Sequence, residues 1–137
     1  MSGQDTRPYL DAIAAQQDAM VALTERWANI NSGSYHLAGL RRMCEEIAAA
    51  FLPLGAVQQI LPLAPITQIN SKGDAVEVPM AEALLMTKRP EAPLQVLLMG
   101  HMDTVYGVDH PFQTCMQLDE NTLNGPGVAD LKGGLVV

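Results

Sequence analysis

The stretch Val96-Leu97-Leu98-Met99, closed by Gly100, constrains this chain more than any other. It lacks polar alternation, so a strand formed here presents apolar side chains on both faces and needs cover on both. That predicts a central strand over residues 94–100 within a layered α/β domain. A second apolar run, residues 81–88, is separated from it only by Arg89-Pro90-Glu91-Ala92-Pro93, which suggests neighbouring strands joined by a tight connection.

Upstream, Leu10, Ile13, Ala14, Met20, Val21 and Trp27 recur near helical spacing, predicting one helix over residues 9–30. Asn31-Ser32-Gly33-Ser34 breaks it and offers capping residues for a second helix, whose stripe is Leu37, Leu40, Cys44, Ile47, Phe51 and Leu54. Pro53 and Gly55 stop that helix. A short strand follows over residues 57–61, and Asn70-Ser71-Lys72-Gly73-Asp74 reads as a turn between two edge segments. Residues 112–118 and 122–123 form a hairpin around Asp119-Glu120-Asn121, and another helix begins near Val128. The expected fold class is therefore α/β, with a mixed sheet and flanking helices.

The chain has 137 residues, enough for one compact domain, and is 48% apolar but only 4% aromatic. The core must then come from aliphatic residues and methionine, of which there are eight. A formal charge of -7, without a local Lys/Arg run, argues against nucleic acid as a partner. No apolar stretch is long enough to span a bilayer, and Met1-Ser2-Gly3-Gln4-Asp5 lacks the features of a signal peptide, so the expectation is a cytoplasmic protein without a membrane partner. Cys44 and Cys115 are expected to be buried free thiols.

The chemistry concentrates just past the apolar run. Residues i and i+2 of a strand point to the same side, so His101 and Asp103 are expected to emerge together where the strand opens into a loop. A metal-binding imidazole needs its other ring nitrogen held, and Asp103 is placed to do that. Asp130 lies 29 residues past His101, after the turn-forming Gly125-Pro126-Gly127. Its carboxylate offers one oxygen to each of two cations. Alone, a His-x-Asp at a strand end is more often a satisfied polar pair than a ligand; a second rare polar arrangement expected to converge on it shifts the balance toward a metal site. Two donors do not close such a site, because zinc takes about four.

The stretches Leu97-Leu98-Met99-Gly100-His101-Met102-Asp103-Thr104-Val105-Tyr106 and Gly125-Pro126-Gly127-Val128-Ala129-Asp130-Leu131-Lys132-Gly133-Gly134 resemble the two-zinc peptidase and amidohydrolase family that includes glutamate carboxypeptidase, acetylornithine deacetylase and succinyl-diaminopimelate desuccinylase. The Asn31–Ser34 break before an amphipathic helix is similar too, and the likeness is greatest to the glutamate carboxypeptidase branch. The resemblance implies hydrolysis of an amide bond in a peptide or N-acyl amino acid by a metal-bridging water. It implies His101 as a ligand of one zinc, Asp130 as the bridge between two, Asp103 as the catalytic residue that holds the His101 ring, and a cis Asp130-Leu131 peptide bond. Cobalt or manganese would suit the same donors.

The family's Glu-Glu pair, further acidic ligand, distant His and dimerising lid domain have no counterpart in these 137 residues. Residues 1–137 are therefore expected to be a single partial domain, the N-terminal segment of the catalytic domain, inactive alone. The competing expectation is a non-catalytic binding or assembly module of the same fold. Among other candidates, His36 reads as a capping or exposed residue and His110 as a loop residue near a substrate entrance. Glu45 and Glu46 read as a solvated face, and Lys132 as a surface residue. Gly133 and Gly134 suggest a close packing contact.

Overall fold

The computed structural model describes residues 5–137; residues 1–4, part of the N-terminal stretch read above, lie outside the described residues. The chain opens with helices α1 (Arg7–Ala14), α2 (Gln17–Ala28) and α3 (Leu37–Phe51), the last running into a 3-10 turn at Leu52–Leu54. Strands β1 (Val57–Leu61), β2 (Ile66–Ile69), β3 (Ala75–Val78) and β4 (Ala83–Thr87) follow, then the hairpin β5 (Met116–Asp119) and β6 (Thr122–Asn124). A wide turn of π-helical type, Val128–Lys132, leads into the short helix α4 (Gly133–Val136).

The helix expected over residues 9–30 is two helices. At the junction the Gln16 N–H donates to Ile13 O and the Gln16 side-chain amide to Ala12 O, so backbone acceptors that would continue the helix are already taken. α1 buries no residue, whereas α2 buries Thr24, Trp27 and Ala28 on one stripe. α3 buries Leu40, Met43, Cys44 and Ile47, the i, i+3, i+4, i+7 pattern of an amphipathic helix. Gly55 closes its end in the left-handed region at φ 62°.

Trp27, Ile30, Met43 and Ile47 form the core, flanked by Phe51, Leu84, Met86, Met102 and Leu135. The thioethers fill the spaces that a fuller aromatic complement would occupy. Both cysteines are free and buried, and burial pushes their thiols up, aided by the charges of Glu82 and Glu45 at Cys44 and of Glu25 at Cys115.

The chain combines helices with antiparallel sheets, but among the described residues these are three separate two-stranded sheets: β1 with β4, β2 with β3, and β5 with β6. The partner of β4 is thus β1, in the register Val57↔Thr87 to Leu61↔Ala83, and not residues 94–100. The turn between β2 and β3 is the expected one, with Asn70 Oδ1 accepting from the Lys72 and Asp74 N–H groups. No helix among the described residues is long and apolar enough to cross a membrane.

The expected central strand is the main correction. Residues 94–100 pair with no strand among the described residues, and Leu98 and Met99 are 87% and 84% exposed. A continuous apolar run demands cover on both faces; it cannot provide that cover itself. Its last residue does meet the body of the protein, where a Cβ on Gly100 would stand 2.5 Å from Leu135 Cδ2.

Candidate metal centre

The segment after α2 organises the site. Asn31-Ser32-Gly33-Ser34 does not cap α3, whose N-cap is His36 without a side-chain cap bond. These polar side chains instead reach across to residues 102–113. Ser32 Oγ donates to Met102 O at 2.8 Å, and the Thr104 N–H donates to Ser32 O at 2.9 Å. The Ser34 N–H donates to Thr104 O, making Gly33 and Thr104 a parallel bridge. The Asn31 amide donates to Gln113 Oε1 at 2.6 Å and lies within 3.3 Å of the Tyr106 and Gly107 carbonyls. Residues 102–107 are thereby tied to the Asn31–Ser34 segment.

His101, Asp103 and Asp130 converge beside these contacts. His101 Nδ1 lies 3.1 Å from Asp103 Oδ1, and His101 Nε2 lies 2.9 Å from Asp130 Oδ1. Asp103 Oδ2 accepts from the Ser34 hydroxyl at 2.6 Å. The Asp130 hydrogen bond is the main cause holding the His101 imidazolium above its ordinary range; partial desolvation opposes it, while the Asp103 carbonyl and both carboxylate charges add to it. The His101 side chain is 48% exposed and that of Asp130 85%, so the imidazole and the bridging candidate both face open space.

That space is a cavity of about 300 Å³ walled by Val105, Tyr106, Phe112, Asn124 and Gly127, with Thr104 at its base. Tyr106 stacks edge-on against Phe112, ring centroids 5.0 Å apart, and tilts against His110 at 4.8 Å. His110 itself lines an adjacent cavity with Ser34, Tyr35 and His36. The His36 ring is tied locally to Asn31, 3.0 Å from its Oδ1. Glu46 pairs with Arg26 at 2.8 Å and Glu45 is exposed, both away from the site.

Asp130 is presented by an unusual loop. Gly127 sits at φ 78°, and a Cβ there would stand 2.9 Å from Lys132 Cδ and 3.0 Å from Thr104 Cγ2, so both its conformation and its surroundings require glycine. Asp130 and Leu131 leave helical backbone angles, and the peptide bond between them is cis, as the resemblance implies. Lys132 corrects the sequence reading. It is fully buried, not on the surface, and its ammonium donates to Ile30 O at 2.7 Å. Burial pulls its pKa down to about 8. Gly134 does make the close contact expected of it, since a Cβ would stand 2.6 Å from Leu131 Cδ1.

Two residues escaped the sequence reading. Ser34 was legible only as a cap, because a serine in a helix-breaking segment ordinarily serves that role. Asn31 was read the same way, and nothing local signals a partner some 80 positions on.

As a donor set, one imidazole nitrogen and one carboxylate oxygen 2.9 Å apart, with the second ring nitrogen held by another carboxylate, fit part of a zinc shell. Among the described residues no three His, Cys, Asp or Glu side chains are grouped to hold a metal ion. Compared with models of known protein families and with curated proteins, the chain matches none.

Proposed function

We propose that this chain is the N-terminal part of the mixed-sheet catalytic domain of a zinc-dependent hydrolase, one that cleaves an amide bond in a peptide or N-acyl amino acid. The observation that carries this reading is the convergence of His101, Asp103 and Asp130, across 29 positions, on one open cavity. Met102 turns toward the core while His101 and Asp103 flank it, so the core itself orients the pair.

In this reading His101 and Asp130 would hold the metal, with the Asp130 carboxylate able to serve two ions. Asp103 keeps the Nδ1 proton in place, which leaves the Nε2 lone pair for coordination and raises its basicity. When bound, the metal supplies the Lewis acidity that activates water and polarises the scissile carbonyl. Tyr106 and Phe112 line one side of the site and would give an apolar part of the substrate a surface to rest on. Zinc needs about four donors, so the remaining ligands and the general base are contributed by polypeptide outside these 137 residues, and the isolated chain is inactive. Cobalt and manganese are accepted by the same donor types. The proposed setting is the cytoplasm.

Zinc titration of the chain by calorimetry tests the reading. The expected result is weak saturable binding that His101→Ala and Asp130→Ala each abolish; equal heats from all three proteins would end the metal reading. A second reading, a non-catalytic binding or assembly module, is favoured by the exposed, unpaired run at residues 94–99. It predicts no metal dependence and strand-mediated association instead.

A further inference from the structure

We propose that Ser34 is a positioning residue for the His101 ring, acting through Asp103. The argument rests on a single proton. A serine hydroxyl has one to donate, and Ser34 Oγ has two acceptors in reach, Asp103 Oδ2 at 2.6 Å and Thr104 O at 3.2 Å. The carboxylate is closer and charged, so it takes the proton. Thr104 O loses nothing by this, because the Ser34 backbone N–H already donates to it at 3.0 Å.

The consequence lies at the other oxygen. A carboxylate on a single methylene turns about two bonds unless something pins it, and Ser34 pins Oδ2. Oδ1 is then turned toward His101 Nδ1, 3.1 Å away, and demands a proton there. The Asp103 carbonyl, also 3.1 Å from Nδ1, makes the same demand. In a neutral imidazole only one nitrogen carries hydrogen, so these two acceptors favour the Nδ1–H form, in which Nε2 presents its lone pair on the side of Asp130. The Ser34 backbone is held by its N–H on Thr104 O, next to the Gly33–Thr104 bridge and the Ser32 hydroxyl on Met102 O, so the point from which its side chain reaches Asp103 is fixed.

Asp130 also competes for a proton at Nε2, which makes the tautomer balance a sensitive reporter of the Ser34 contact. The experiment is nitrogen-15 NMR of the imidazole of His101 in the metal-free chain, at a pH where the ring is neutral, for wild type, Ser34→Ala and Ser34→Thr. The expected result is a larger Nδ1–H share in wild type than in Ser34→Ala, and return to the wild-type share in Ser34→Thr, which keeps the hydroxyl. A merely structural role would lower the melting temperature without moving the tautomer. An unchanged tautomer in Ser34→Ala, or failure of Ser34→Thr to restore it, overturns the proposal.

Its value for metal binding rests on the function proposed above and is read separately, by cobalt titration of the same three proteins. Loss of about tenfold in affinity in Ser34→Ala, recovered in Ser34→Thr, is expected of a group that orients a ligand. If wild type binds no cobalt, the metal-centre reading fails while the tautomer measurement still decides the role of Ser34. If wild type and Ser34→Ala bind cobalt equally, the positioning role is overturned and the metal centre stands.

Discussion

The Lys132 ammonium donates to the Ile30 carbonyl at 2.7 Å, joining the loop that presents Asp130 to the end of α2 across 102 positions. The contact is buried and, among the described residues, the ammonium has no acidic partner, so burial pulls its pKa down.

This contact makes stability depend on pH. The native pKa, about 8, lies below the ordinary 10.5, so the cost of charging Lys132 is fully present below pH 8 and is relieved as pH rises to 10.5. The rise is roughly 3 kcal/mol if Lys132 acts alone. Lys132→Met keeps most of the length of the unbranched side chain and removes the titration. Denaturant unfolding across that pH window is expected to show stability climbing in wild type relative to the variant; parallel curves would count against it.

His101 carries the opposite sign. Its native pKa is raised, chiefly by Asp130, so its contribution to stability is complete below the ordinary histidine value and is lost as pH rises through the native one. Metal binding must displace that proton, so affinity is expected to fall about tenfold per pH unit below the native pKa. Calorimetry in buffers of different ionisation enthalpy should register proton release on the acid side. His101→Ala should show neither the stability change nor the release.

Gly127→Ala tests how the Asp130 loop is held. The substitution must keep φ 78° and place a methyl 2.9 Å from Lys132 Cδ. A loss of about 1–3 kcal/mol follows from the left-handed conformation and displaced lysine. Thermal unfolding measures that loss. Zinc affinity should fall with it, because the same movement carries Asp130 away from His101. Unaltered stability would mean that the loop is not confined by these contacts.

The exposed run predicts self-association. Unpaired backbone beside Val96, Leu97, Leu98 and Met99 is a template for strand pairing with another chain. Leu98→Lys puts a charge in the middle of the run at a side chain that makes no core contact. Sedimentation velocity should show a larger monomer fraction with an unchanged melting temperature. Equal association in both proteins would place the sticky surface elsewhere.

What the sequence by itself determined was local in its physics. Leu40, Cys44 and Ile47 at helical spacing made α3 legible, and the Asn70–Asp74 cluster did the same for the turn between β2 and β3. His101 and Asp103 could be paired because a two-residue spacing constrains direction. Tertiary structure alone decided the rest: that Lys132 is buried, that Ser34 serves Asp103 rather than a helix end, and that residues 94–100 have no partner strand among those described. Each of these depends on which distant groups arrive nearby. A side chain's type limits what it can bond, but desolvation and hydrogen-bond competition are set by neighbours, and neighbours 70 or 102 positions away leave no local mark.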